Sequence, residues 1–190
     1  MKKKFIWLLV LIIAFSLVAV GCGQSKVQVE VQSPEEAAKM EGDPLQNLAI
    51  KEKQWLGSLD SVRGDIAQSF IDWEQGKINR ENFINQLKEP NVRVKGLIKQ
   101  YNLHMEANLF PEEKKDETVY KDGLAYGKKL RTTVNNFIFM STDGITDPET
   151  KKLKTLTDDQ VKELYNNYMV EKYDEYRAKL ESALEEVDKK

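Results

Sequence analysis

Residues able to do chemistry are few and scattered in this 190-residue chain. His104 is its one imidazole and Cys22 its one thiol. One His rules out every metal or catalytic arrangement that needs two, including a di-iron bundle site, which takes two Glu-x-x-His motifs. The residue three before His104 is Tyr101. One Cys rules out an intramolecular disulfide and a multi-thiolate zinc site. Adjacent carboxylates are plentiful: Glu35-Glu36, Glu112-Glu113, Asp158-Asp159 and Glu185-Glu186. A wall-cleaving glycosidase needs carboxyls on opposite sides of a cleft, which neighbours on one helix surface do not provide. They read as solvated faces and as complements to helix dipoles. The acidic loop from Asp143 to Glu149 fails as an EF-hand, because its sixth position is Pro148 and its twelfth Lys154. No catalytic residue, metal ligand or cofactor is expected.

The tyrosines of the C-terminal segment form the most suggestive set. At about 100° per residue, Tyr165 and Tyr176 return to within ~20° of each other, with Tyr168 ~60° to the side. Tyr173 falls nearer the edge of that face. A row of Tyr165, Tyr168 and Tyr176 can stack on sugar rings, take a peptide or receive a partner helix, since tyrosine joins apolar area to a polar tip. It can equally pack inside a bundle, or line a cavity for a small ligand.

The N-terminus carries a different kind of information. Lys2, Lys3 and Lys4 precede an apolar run from Phe5 to Val20, and small residues and Cys22 follow at once. That is the three-part layout of a secretory signal. Sixteen residues of helix rise about 24 Å, short of the ~30 Å hydrocarbon core. The junction Ala19-Val20-Gly21-Cys22 resembles the lipobox of bacterial lipoproteins, with Ala19 where that family most often has Leu. The resemblance implies cleavage between Gly21 and Cys22, and a diacylglyceryl group on the Cys22 thiol. It also implies that the remaining chain lies at the outer face of a membrane. Losing residues 1–21 removes three lysines and no acid, so the charge moves from -2 to -5. The acyl chains, not charge, would then hold the protein at the bilayer. Neither value suits a nucleic-acid binder, which shows a basic excess.

These groups must be carried by the rest of the chain. Residues 22–44 read as the lipidated N-terminus and a flexible tether, with a reach of about 25 Å as coil and about 70 Å extended. Residues 45–190 read as one all-α domain. Leu45, Leu48, Trp55, Leu59, Val62, Ile66, Phe70 and Trp73 step by three and four along a first helix, with one gap at Glu52. Gly76 ends it, and Asn79 caps a second helix, with Ile78 and Phe83 as a hydrophobic staple. That helix runs through Phe83, Leu87, Val94, Leu97 and Met105 to Leu109, kinked but continuous at Pro90.

A third helix is expected from about Glu113 to Met140, where Gly123 and Gly127 allow a close neighbour. Ser141 to Leu156 is a break. Thr157 and Gln160 then form the capping box of a final helix, with Leu156 stapled to Val161. Nothing past the tether reads as a strand. The expectation is an elongated antiparallel bundle of about four long amphipathic helices. Its expected role is a non-enzymatic adaptor or structural protein of the bacterial envelope, contacting a protein partner, a second copy or a cell-wall polymer. A small-ligand binder and a carboxylate-dependent wall hydrolase stand as alternatives.

Overall fold

The computed structural model describes residues 40–108 and 110–188. Cys22, Gly21 and nearly all of the tether lie outside the described residues, as does Leu109. Helix α1 spans Pro44–Glu74 and opens on Asp43, whose carboxylate accepts from the Leu45 and Gln46 N–H groups at 2.8 and 3.1 Å. Its 31 residues extend about 46 Å. Every apolar position of its sequence stripe is buried. At the far end Gly76, with φ 70°, closes the helix. Lys77 N–H returns to the Asp72 carbonyl and Gly76 N–H to that of Trp73, the double bond of a Schellman turn.

Asn79 then caps α2 (Arg80–Gln86) by accepting from Asn82 N–H at 2.9 Å. The staple forms: Phe83 is buried and Ile78 packs against the same core. Leu87 separates α2 from α3 (Lys88–Ala107), with backbone still in the helical region. The rod is therefore broken at one residue, not by a loop. Pro90 falls in the first turn of α3, where a missing N–H costs least.

A 3-10 turn at Glu112–Lys114 follows, so the third long helix starts later than the expected Glu113. It opens as a π-turn at Val119–Gly123 and continues as α4 (Leu124–Thr142). The break after it is also not wholly irregular. Ile145–Thr146 (β1) and Leu153–Lys154 (β2) pair antiparallel, which corrects the expectation of no strand. Two-residue strands carry too little alternation to register in a sequence pattern. Gly144, with φ 95°, lets this hairpin close, since a Cβ there would lie 2.3 Å from the Lys154 carbonyl oxygen.

The last rod begins with the expected capping box. Thr157 N–H donates to Gln160 Oε1 at 2.9 Å, and Gln160 N–H to Thr157 Oγ1 at 3.3 Å. It comprises α5 (Asp158–Tyr165), a π-helical stretch at Asn166–Lys172, and α6 (Tyr173–Asp188). The bundle is all-α apart from the small hairpin. α1 packs against α3 and α6, α4 packs against the same two, and α1 also meets α4 across the middle. Among the described residues no helix is long and apolar enough to cross a membrane.

Candidate functional site

The gap at Glu52 in the α1 stripe is the feature on which the interior turns. Glu52 is fully buried, and both its oxygens accept from Arg131 of α4, at 2.9 and 3.0 Å. Arg131 is itself 2% exposed. Its guanidinium lies 4.1 Å from the Tyr101 ring centroid and 5.3 Å from that of Trp55. Two aromatic faces thus line a bidentate ion pair, an arrangement that suits the planar, weakly hydrated guanidinium better than a lysine. Burial pushes the Glu52 carboxyl above its ordinary range, and the Arg131 charge offsets part of that shift. Gly127 completes the enclosure: a Cβ there would lie 2.5 Å from Glu52 Oε2. The close approach expected of Gly123 and Gly127 therefore exists at Gly127, where the neighbour is a carboxylate; at Gly123 a Cβ would meet nothing within 4 Å.

His104 adjoins this cluster at the end of α3, packed edge-on to Trp55 with ring centroids 5.6 Å apart. Trp55 in turn donates its indole N–H to Gln100 Oε1 at 3.1 Å. The Asn108 amide lies 3.2 Å from His104 Nδ1, and an amide N–H there makes Nδ1 the acceptor. Nε2 is buried and has no hydrogen-bond partner among the described residues. Burial and the charge of Lys51 push the imidazole down to about 4, so the ring is neutral at pH 7. Phe110 and Tyr120, with ring centroids 4.9 Å apart, continue the aromatic wall beyond it.

The three tyrosines predicted as one face are separated. Tyr165 stacks flat on Phe70 at 3.8 Å and meets Phe137 edge-on, as part of the core. Tyr168 lies beneath Lys172 Nζ at 4.2 Å. Tyr176 pairs with Tyr126 of α4 at 6.3 Å. Tyr173, expected near the edge, is fully buried. The reason is the π-helical stretch. Val161, Tyr165, Met169 and Tyr173 are four apart, a spacing that drifts ~120° over three steps of regular helix. The wider i→i+5 turn takes up the extra residue and keeps all four facing inward.

Arg63 of α1 matches that irregularity, donating from Nε to the Met169 carbonyl at 2.8 Å. The Tyr173 hydroxyl donates to Asp60 at 3.0 Å, and Arg177 grips the same carboxylate. Burial, first, and the Asp60 charge push the Tyr173 phenol far above its ordinary value.

Two surface hollows lie elsewhere. One of about 440 Å³ runs between α1 and α6, past Leu56, Gly57, Arg177 and Leu184. Another of about 180 Å³ sits where α1 begins, beside Leu45, Lys114, Val119 and Val187. Neither is lined by a tyrosine. The loop carboxylate Asp147 is engaged in its own turn, accepting from the Glu149 and Thr150 N–H groups at 2.9 and 2.7 Å. Among the described residues no group of three His, Cys, Asp or Glu side chains is placed to hold a metal.

Glu52 and Arg131 were not singled out by sequence reasoning, yet each leaves a trace there. Glu52 stands between Leu48 and Trp55 on an apolar stripe, and Arg131 stands between Leu130 and Val134. Opposite charges on inward positions of two helices are the signal of a buried pair. Comparison with known protein families, curated proteins and solved structures finds no match for this chain.

Proposed function

We propose that this is a lipid-anchored helical protein of the outer face of a bacterial membrane, acting by contact and not by catalysis. The lipobox-like junction at Cys22 motivates the anchor, and residues 22–44 supply the spacing from the bilayer. The bundle serves as an adaptor or structural element that meets a protein partner or an envelope polymer.

One observation carries the contact reading. The fully buried ion pair of Glu52 and Arg131 is closed on itself, and nearer the surface the half-buried Asp60 is held by Tyr173 and Arg177. What the domain offers to other molecules is the outer surface of its rods. Crosslinking in intact cells, followed by recovery of the full chain, tests this. The same partner or polymer should return in repeated experiments and be lost when Cys22→Ala releases the chain. Recovery of the chain alone, together with release of wall fragments by the purified protein, would contradict it.

A further inference from the structure

The outer face of α1 carries an uncharged seam. Ile50, Gly57, Gly64 and Ile71 recur every seven residues along it, with Gln54, Ser61 and Gln68 between them. Seven residues return to within ~20° on a helix, so the row keeps to one side over ~32 Å. Ile50 and Gln54 each lie ~160° around the helix from the buried Glu52, which places the seam away from the core. Ile50 and Ile71 are 49% and 42% exposed, and both glycines are exposed as well. The carboxylates on the two flanks are turned aside, Asp60 to Arg177 of α6 and Asp65 to Arg93 of α3. A Cβ at Gly57 or Gly64 would meet nothing within 4 Å. Glycine weakens a helix interior, and no neighbour among the described residues requires it at either position. Beside Gly57 a hollow of about 440 Å³ opens between α1 and α6, over Leu56 and Leu184.

We infer that this seam pairs with the same seam of a second copy, the two α1 helices running antiparallel about a two-fold axis. The row is symmetric about the point between Asp60 and Ser61. Turned end for end it matches itself: Ile50 meets the partner's Ile71, and Gly57 meets the partner's Gly64. An isologous contact needs a self-complementary patch of this kind, whereas an unlike partner would not need the row to be symmetric. The central glycines let the two backbones approach closely, and the isoleucines at each end leave water. No charge of the seam is buried between them. A small crossing angle takes up the drift of the seven-residue spacing. Such a pair sets its two Pro44 ends at opposite ends of the contact, and the extended reach of about 70 Å for residues 22–44 lets both join one bilayer. Pairing goes beyond the contact reading of the bundle and holds in solution without lipid at Cys22.

The test is oxidative crosslinking of the full chain in membranes, followed by sedimentation equilibrium of the purified chain in detergent. Ile50→Cys and Ile71→Cys chains produced together should give a disulfide-linked dimer. Either alone should give none, because the two copies of each position lie ~32 Å apart along the paired helices. The unaltered chain shows whether Cys22 itself crosslinks. Gly57→Gln with Gly64→Gln should weaken dimerisation about tenfold or more by holding the backbones apart. At concentrations where the wild type is monomeric, the same change should leave the melting midpoint unchanged or raise it, since glutamine favours helix and finds open space. Val92→Gln, at an exposed apolar position of α3, should leave dimerisation unchanged.

The cysteine pair reads the register independently of any loss of structure in the glycine variant. No crosslink from the two cysteine variants together, a dimer crosslinked by Ile50→Cys alone, or dimerisation unmoved by the glycine substitutions would overturn the pairing. So would equal loss with Val92→Gln, or a product of Ile50→Cys linked to a different protein, which would make that protein the occupant. An absent dimer alongside a lipidated Cys22 rejects the second copy alone, whereas an unlipidated Cys22 rejects the anchor and leaves the pairing standing.

Discussion

The Glu52 carboxylate and the Arg131 guanidinium, 79 positions apart in sequence, meet through two parallel hydrogen bonds inside the bundle. The pair ties the first long helix to the third at the one place where the α1 stripe lacks an apolar residue. Its geometry satisfies both ions, yet the cost of burying them makes the net contribution small. Breaking the pair is a different matter.

Glu52→Ala leaves the Arg131 charge buried without its partner and should destabilise the domain by about 3–5 kcal/mol. Replacing both, as Glu52→Leu with Arg131→Met, should recover most of that loss. Urea unfolding of the two variants checks the claim. Equal destabilisation of both would mean that the ion pair itself, and not its disruption, sets the cost.

Gly127→Ala drives a methyl group into the Glu52 carboxylate and should cost about 1–3 kcal/mol in the wild type. In the Glu52→Ala background the space is free. The same change should there be neutral or gain up to about 1 kcal/mol from helix propensity. A double-mutant cycle by thermal melting reads the difference, and additive effects would show that the close approach does not constrain the fold.

Acid should weaken the domain through His104. The imbedded imidazole is favoured in its neutral form, so the unfolded chain binds its proton more readily. Its contribution is complete above the ordinary value of 6.5 and is lost as pH falls toward about 4. The loss amounts to about 3 kcal/mol across that window. His104→Gln should flatten this part of the curve of unfolding free energy against pH. Parallel curves for the two proteins would show that another group carries the dependence.

Tyr173→Phe removes one hydrogen bond to Asp60 but leaves the Arg177 contact in place, and should cost about 1 kcal/mol. Tyr173→Ala removes a fully buried ring and should cost about 3–5 kcal/mol. Denaturant melts separate the two. A similar cost for both would make the hydroxyl, not the ring, the important part.

The helical plan was legible wherever local chemistry acts alone. The α1 stripe, the Gly76 stop, the Asn79 cap and the Thr157–Gln160 box each follow from spacing within a few residues, and each is present. What escaped depends on partners distant in the chain. The π-helical stretch at Asn166–Lys172 packs against α4, and Arg63 of α1 reaches its Met169 carbonyl. An α-helical wheel consequently placed Tyr173 at an edge and grouped Tyr165 with Tyr176. The Tyr126–Tyr176 ring contact needs two helices and has no signature in either one. The Glu52–Arg131 pair lay between these cases, visible as two misplaced charges but not as a contact.

The anchor at Cys22 is the part of the account on which the proposed location and role depend. Mass spectrometry of the N-terminal peptide, from protein extracted out of membranes, tests it most directly. The expected peptide begins at Cys22 and carries the added mass of a diacylglyceryl group on its thiol. A chain that still begins at Met1, or an unmodified Cys22, would contradict it.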